Sequence, residues 1–336
     1  MNIKIILLRL IGLTFIFSAC ITEIDLDTAG SDSFLVIQGK ITTDKRAFEV
    51  TVRESARFSA GPEGAETPVS NALVSITDSE GNVETLTEVN PGVYQTRDDY
   101  RGVIDRTYEL EITLADGATY RSLPETIFPV PKPDSAYIFF VDETNDVQVF
   151  INTPLLGEGQ ETYLTWNFES EWRMSEIGNI FNDICYVKEE IDFGNAPVFS
   201  SENITGDYLS DQHVFTRNVD QRFHDTYLFH IYQQSTTKQA YEFWNAVATE
   251  LNRSGDIFET PPANIRGNIF NVDNPAETVL GLFYTTAVDT SYLFVRGSEV
   301  ENPRTECRPF PRPPDYCGDC LLRDGARTTR PEYWNP

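Results

Sequence analysis

Residues 68–95 read PVSNALVSITDSEGNVETLTEVNPGVYQ, and this stretch decides the fold class. Its first part alternates with a period of two, so that Val74 and Ile76 point to the same face of a strand. Turn residues follow at 79–82 (SEGN) and at 90–92 (NPG). Short alternating strands separated by closely spaced turns are typical of a sandwich of two antiparallel sheets. We therefore predict a mainly β protein.

The same pattern continues on both sides of this stretch and predicts a first domain over residues 34–126. Residues 34–41 (FLVIQGKI) and 48–53 (FEVTVR) read as strands, and Asp116-Gly117 between two apolar runs predicts a hairpin. The region resembles transthyretin-like, immunoglobulin-like and carboxypeptidase-regulatory modules. That resemblance implies a β-sandwich that serves as a structural spacer or a docking unit.

Residues 127–134 (IFPVPKPD) contain three prolines and predict a stiff linker. A larger β-rich domain is expected over residues 135–303. It contains one predicted helix at residues 237–251, whose apolar residues form a single stripe that we expect to pack on a sheet. The stripe consists of Ala240, Phe243, Trp244, Val247 and Leu251. Residues 304–336 are rich in cysteine, proline and arginine, and they predict a C-terminal extension stapled by disulfides.

The N-terminus, residues 1–20, reads MNIKIILLRLIGLTFIFSAC and has the pattern of an export signal. Its apolar run is too short for a membrane-spanning helix, which needs about 20 apolar residues. Residues 17–20 (FSAC) resemble the bacterial lipobox, and this resemblance implies removal of residues 1–19 and lipidation of Cys20. The alternative is an ordinary secretory signal that carries a cysteine. The polar, acidic residues 20–33 then predict a tether.

The charge balance of the chain excludes some partners. It has 26 basic and 52 acidic residues, a formal net charge of -26. Such a surface repels phosphate backbones, so we expect no nucleic-acid partner. It also gives no electrostatic attraction to anionic lipids, so membrane attachment is expected to come from the lipid on Cys20.

Four of the five cysteines follow Cys20: Cys185, Cys307, Cys317 and Cys320. An even number in an exported chain predicts two disulfides, but the sequence leaves all three connectivities open. A zinc site is an alternative, because residues 317–320 (CGDC) have the spacing of a metal-binding pair. Free thiols are the third possibility.

Other motifs give weaker indications of chemistry, and we predict neither an enzyme nor a cofactor or metal. Ser235 and Lys238 match the S-x-x-K pattern of penicillin-recognising enzymes, but a helix-capping serine and a surface lysine explain them better. The three histidines, at 213, 224 and 230, form no zinc-binding motif. Residues 142–146 (DETND) lack the glycine and the final glutamate of a calcium loop, and they predict a solvated hairpin tip.

Several separated stretches together resemble one family. These are the residues after Cys20 (ITEIDL), the module from Val69 to Tyr94, residues 261–269 (PPANIRGNI), CGDC at 317–320 and PEYW at 331–334. In this order they resemble the Bacteroidetes lipoproteins of the domain of unknown function family 4249. Members of that family are commonly found beside TonB-dependent outer-membrane receptors. No activity is established for them, so the resemblance assigns no catalytic residue.

From these observations we expect a non-enzymatic lipoprotein of the outer membrane, anchored by lipid and facing the cell exterior, that helps a TonB-dependent transporter to capture a ligand. One alternative is a carbohydrate-binding or adhesive lipoprotein that acts alone through exposed aromatic residues. The candidates for such contacts are Tyr163, Trp166, Trp172 and Tyr186. Another alternative is a hydrolase, which predicts a concave cluster of acids with a raised pKa.

Overall fold

The computed structural model describes residues 33–55, 66–157, 160–176, 184–191, 197–251, 265–301, 307 and 314–336. The predicted signal at residues 1–19, the predicted lipid site Cys20 and nearly all of the predicted tether lie outside the described residues. Within the described chain the fold is mainly β with a single α-helix, which confirms the predicted fold class.

The strands fall into three groups along the chain. The first group is β1 (Leu35–Thr42), β2 (Glu49–Glu54), β3 (Thr67–Pro68), β4 (Leu73–Asp78), β5 (Val83–Thr85), β6 (Thr87–Asn90), β7 (Val93–Gln95), β8 (Thr107–Thr113), β9 (Thr119–Ser122) and β10 (Glu125–Thr126). The second group is β11 (Ser135–Val141), β12 (Asp146–Pro154), β13 (Tyr163–Ser175), β14 (Ile184–Glu190), β15 (Val198–Ser200), β16 (Tyr208–Asn218) and β17 (Thr226–Ser235). After helix α1 (Lys238–Leu251) come β18 (Ile269–Asn271), β19 (Val279–Leu280), β20 (Phe283–Thr286), β21 (Val288–Arg296) and β22 (Ala326–Arg327). Short 3-10 helices cover Gln221–His224, Gly297–Glu299, Asp315–Cys317 and Cys320–Leu322.

Two sheets form the first sandwich. Sheet A has the order β19-β1-β2-β7-β6, with β20 beside β1 and β3 beside β2. Sheet B has the order β18-β9-β8-β4-β5, with β10 beside β8. The predicted alternation holds, since Val74 and Ile76 of β4 are fully buried between the sheets together with Ile37 and Leu110. Burying one face of each strand in this way is what holds the two sheets together.

Three strands of the first sandwich come from a segment that lies, in the sequence, between two strands of the second sandwich, β17 and β21. β18 pairs with β9 in an antiparallel manner, and β19 and β20 pair with β1 in parallel. The sequence pattern predicts a second domain over residues 135–303, but residues 269–286 within that range complete both sheets of the first sandwich. Ile269, Val279 and Phe283 enter the core of that sandwich. The burial of these side chains, and the pairing of sheet edges that would otherwise be open, explain why this segment packs into the first sandwich.

A close backbone contact makes the return possible at Gly281, between β19 and β20. This residue has a φ of +97°, and a Cβ atom placed on it would lie 2.0 Å from the carbonyl oxygen of Ile37. Only glycine combines that conformation with that approach. Asn268 secures the same segment, because its side chain donates to the carbonyl oxygen of Phe283 at 2.6 Å and accepts from the Phe283 amide at 3.0 Å.

The second sandwich packs sheet C against sheet D. Sheet C has the order β11-β12-β16, and sheet D has the order β21-β17-β13-β14-β22, with β15 beside β13. The inner face of sheet D is strongly aromatic, and Trp166, Phe229 and Tyr227 are almost fully buried there. The outer face of sheet D carries polar side chains from β13, β14, β17 and β21, and these form one wall of the site described below.

Helix α1 begins one residue later than predicted, because Thr237 is its N-cap and its Oγ1 accepts from the Ala240 amide at 3.2 Å. Of the predicted apolar stripe, only Ala240 is fully buried. Trp244 is partly buried, and Leu251 is 59% exposed. The helix therefore lies beside sheet D without covering it.

Two disulfides hold the C-terminal extension. Cys185 of β14 bonds to Cys320, and Cys307 bonds to Cys317. All four cysteines are buried in the core of the second sandwich. This is one of the three connectivities that the sequence left open, and its Cys185–Cys320 bond joins the extension to β14 of sheet D.

Candidate functional site

A cleft of about 740 Å³ lies between the two sandwiches and helix α1. The first sandwich contributes residues of β1, β20 and the loop after β1. Sheet D contributes its outer face, and the helix contributes Trp244 and Val247. Sites for small molecules are often formed in this way, where two domains meet.

The wall from the first sandwich is built around Lys40. In β1, Ile37 and Ile41 face the core, so Lys40 and Thr42 face outward into the cleft. The Lys40 ammonium donates to Oε1 of Gln234 at 2.6 Å and lies 5.5 Å from the centre of the Tyr284 ring. Burial lowers the pKa of Lys40 to about 8, with Arg46 adding to the decrease and Asp44 opposing it.

Aromatic rings continue this wall. Tyr284 lies opposite Lys40 in the pairing of β20 with β1, and the Trp244 ring meets it edge to face at 5.9 Å. Burial raises the pKa of Tyr284, so its hydroxyl remains protonated and can donate a hydrogen bond. The lining thus combines apolar ring surface with hydrogen-bonding groups, as sites for organic ligands require.

The facing wall belongs to sheet D and contains an ion pair, together with the exposed carboxylate of Glu190. Glu169 of β13 pairs with Lys188 of β14 at 2.7 Å and accepts a hydrogen bond from the Tyr232 hydroxyl. Burial opposes ionisation of Glu169, but the hydrogen bonds from Lys188 and Tyr232 outweigh it and lower its pKa. Asn167, Thr165 and Tyr292 complete this side.

Beyond the cleft, the C-terminal tail covers the rest of the outer face of sheet D. Tyr333 stacks on Tyr292 with ring centres 4.9 Å apart, and Trp334 packs edge to face on Tyr186 at 4.9 Å. Trp334 is 3% exposed. The tail therefore borders the cleft at Tyr292 of β21, whose ring lines the cleft and also stacks on Tyr333.

A buried carboxylate holds the tail in place. Glu171 of β13 is completely buried and accepts from Arg327 at 2.7 Å, from the Tyr333 hydroxyl at 2.7 Å and from His230 Nε2 at 3.2 Å. Because a carboxylate only accepts, Nε2 of His230 carries the proton in this contact. Burial raises the pKa of Glu171, but these hydrogen bonds outweigh it and hold the pKa below its ordinary value.

A second buried carboxylate connects the base of helix α1 to the first sandwich. Glu125 of β10 is fully buried, and it accepts from Thr237 at 2.8 Å and from Asn268 at 3.3 Å. Burial raises the pKa of Glu125 to about 7, although both hydrogen bonds oppose the shift. Through Glu125 the helix cap, β10 and the returning segment share one polar cluster.

The raised pKa of Glu125 should make the stability of the protein depend on pH. Its pKa rises from an ordinary 4.5 to about 7 on folding, so the folded state holds the proton where the unfolded state has released it. Stability associated with this group therefore falls as the pH rises from about 4.5 to 7, by on the order of 3 kcal/mol. We expect Glu125→Gln to abolish that decrease, so the difference in unfolding free energy between variant and wild type grows from pH 5 to pH 8. Urea titrations at both pH values measure it, and a constant difference would contradict the assignment.

Residues that were considered together as sequence motifs, such as the S-x-x-K pair and the histidines, mostly have different partners in the structure. Ser235 Oγ donates to the Phe128 carbonyl at 2.6 Å, whereas Lys238 donates to Glu202, so the S-x-x-K residues have different partners. His213 bonds Thr216 on sheet C, far in the fold from the His230 cluster on sheet D. Residues 142–145 form the turn between β11 and β12, as expected for a hairpin tip. Among the residues the structure describes, no group of His, Cys, Asp or Glu is arranged to hold a metal ion.

The aromatic residues considered for sugar stacking lie inside the protein. Trp166 and Trp172 are in the core of the second sandwich, and Tyr163 and Tyr186 are also buried. The rings that do line the cleft, Trp244, Tyr232, Tyr284 and Tyr292, were not singled out for that role by the sequence. They come from four separate elements, and only the period-two pattern of β17 and β21, which puts Tyr232 and Tyr292 on the outer face of sheet D, could have indicated them.

Fold and cleft together define a class: a β-rich protein of two packed sandwiches, with a cleft for a small molecule where they meet. The sequence profile described as Domain of unknown function (DUF4249) matches residues 21–291, and the chain belongs to that family. The match covers the first sandwich and most of the second, ends within β21 just before the cleft residue Tyr292, and does not include the disulfide-bonded extension. No curated protein sequence matches the chain. Within the described residues, no helix has the length and apolar character needed to cross a bilayer.

Proposed function

We propose that this protein is a lipoprotein of the outer membrane that captures a small ligand at the cell surface for a TonB-dependent transporter. In this proposal, lipid on Cys20 attaches the chain to the membrane, and the cleft between the sandwiches binds the ligand without catalysing a reaction. The signal-like residues 1–20 support the attachment. The transporter as partner is proposed from the sequence resemblance to lipoproteins found beside TonB-dependent receptors.

The observation that carries the proposal is the cleft itself. Its volume of about 740 Å³ is in the range of sites that enclose small organic molecules. Its lining alternates ring surface, from Trp244 and Tyr284, with amide and hydroxyl groups such as Gln234 and Tyr232. Such a lining can orient a ligand by a few hydrogen bonds while ring contacts supply binding energy.

The chemistry of the acids in the cleft agrees better with binding than with hydrolysis. A glycosidase-like mechanism needs one carboxyl group whose pKa is raised so that it donates a proton. Glu169 has a lowered pKa because it is paired with Lys188. Glu125 has a raised pKa, but it is sealed from solvent and does not line the cleft.

A pull-down from native membranes tests the proposal. We expect the tagged full-length protein, solubilised in mild detergent, to recover a β-barrel receptor. A Cys20→Ser variant, which cannot carry the lipid, is the matched control and is expected in the soluble fraction without the receptor. Recovery of no receptor by the wild-type protein, under conditions that preserve other membrane complexes, would contradict the proposal.

A further inference from the structure

Two cations that line the cleft form no ion pair with any described residue, although Asp44 lines the same wall. Lys40 and Arg46 both line the wall from the first sandwich, and among the residues described neither lies within ion-pair distance of a carboxylate. Lys188, on the facing wall, is by contrast paired with Glu169 at 2.7 Å. The two unpaired cations are thus confined to one side of the cleft, in a chain whose formal net charge is -26.

The surroundings of Lys40 leave part of its hydrogen-bonding capacity unused. An ammonium group has three N–H donors, and the structure gives one of them to Gln234 at 2.6 Å. The Tyr284 ring stabilises the charge but accepts no directed bond comparable to that of an oxygen anion. Arg46 is exposed and its guanidinium stacks over Phe48 at 5.2 Å, which leaves the edges of the guanidinium open for a second contact.

The two cations also affect each other. The positive charge of Arg46 is near enough to lower the pKa of Lys40, in addition to the larger effect of burial. Asp44 opposes this, but its carboxylate is hydrogen-bonded to Thr42 at 3.2 Å and does not pair with either cation. Two neighbouring cations of this kind are stabilised by an anion placed between them.

We infer that the ligand of the cleft carries an anionic group that binds Lys40 and Arg46, with its ring or apolar part against Trp244 and Tyr284. This inference rests on the proposed capture function and adds the class of ligand. The negative charge of the chain disfavours anionic polymers most strongly, because repulsion grows with the number of charges on the ligand. The class is therefore a small organic molecule with one anionic group, a carboxylate or a phosphate or sulfate ester.

Chemical labelling of the purified protein tests the inference without knowledge of the natural ligand. The full-length protein in detergent is acetylated at pH 8, and the rate at each lysine is measured by peptide mass spectrometry. Glucuronate and inorganic phosphate are the anionic probes, glucose is the neutral match to glucuronate, and sodium chloride keeps the ionic strength constant. We expect an anionic probe to slow acetylation of Lys40 about tenfold, the effect of one charge-assisted contact. The exposed Lys45 is the internal control and is expected to react at an unchanged rate.

Variants make the test specific. Arg46→Gln is expected to remove most of the protection of Lys40, whereas Arg53→Gln, an exposed arginine paired with Glu66 outside the cleft, is expected to retain it. Protection by glucuronate alone would identify a carboxylate ligand, and protection by phosphate alone would identify a phosphate or sulfate ester. Equal protection by glucose, or no protection by either anion, would overturn the inference. Because the experiment uses no receptor, its result is independent of the pull-down.

Discussion

Replacing both Cys185 and Cys320 with serine is expected to lower the free energy of unfolding by about 4 to 5 kcal/mol, the largest effect we predict. The two cysteines are 135 residues apart in the sequence, so their disulfide restricts a long loop of the unfolded chain. The loss is a large fraction of the 5–15 kcal/mol that typically stabilises a folded protein. Denaturant titrations of the oxidised wild-type and variant proteins measure it.

The second disulfide supplies the matched comparison. Cys307 and Cys317 are only 10 residues apart, and their replacement is expected to reduce stability by about 3 kcal/mol on the same argument. We also expect the variant that lacks the Cys185–Cys320 bond to lose hydrogen-exchange protection in β22, which pairs with β14, the strand that carries Cys185. An equal loss of stability in the two double variants would show that the chain-entropy account is wrong for this protein.

Replacing Glu171 with glutamine is expected to lower stability by about 4 kcal/mol, because it removes the buried charge that pairs with Arg327. The same carboxylate accepts from Tyr333 and His230, and the amide NH₂ of glutamine would meet these donors with a donor of its own. We expect the tail to detach as a result, so that Tyr333 and Trp334 become exposed. Denaturant titration measures the loss, and hydrogen exchange in residues 326–334 reports the detachment.

A surface variant and a pH series test whether the loss of stability in Glu171→Gln comes from the missing buried charge. Glu111→Gln removes an exposed ion pair with Arg121 and is expected to change stability by less than about 1 kcal/mol. Since the pKa of Glu171 lies below its ordinary value of 4.5 in the folded state, its contribution is present above pH 4.5 and is lost on acidification through the lower, folded pKa. The difference between wild type and Glu171→Gln must therefore shrink in acid. A difference that is constant down to pH 3 would contradict a role for the carboxylate charge.

The sequence predicts the local structure of this protein well, since local structure follows from local patterns. The period-two alternation at Val74 and Ile76 places both in the core, and the apolar stripe from Ala240 onward places a helix within one residue of its observed start. Turn residues do the same at Gly81, which lies in the predicted turn at residues 79–82. In each case the deciding interactions join residues that are near one another in the sequence.

Pairing between distant segments could not be predicted in this way. Strands β18 to β20 are two to four residues long, too short to show a period, and their partners β1 and β9 lie far away in the chain. The cleft could not be predicted for the same reason, because it is formed by segments that are distant in the sequence. Lys40 looks like an ordinary outward-facing strand residue, and only the packing of sheet D and helix α1 against β1 puts Gln234 and Trp244 beside it.

The parallel pairing of β1 with β19 and β20 has a consequence for biosynthesis. Strand β1 cannot gain its edge partners β19 and β20 until the ribosome has passed residue 286, when β11 to β17 of the second sandwich have already been made and β21 and β22 are still to come. An N-terminal domain that is contiguous in the sequence can fold during translation, before the next domain is made. The first sandwich of this protein cannot, because it needs residues 269–286. A fragment ending at residue 126 would lack strands of both sheets and leave Ile37 and Val50 beside open edges, so a soluble recombinant form has to extend at least to Thr286.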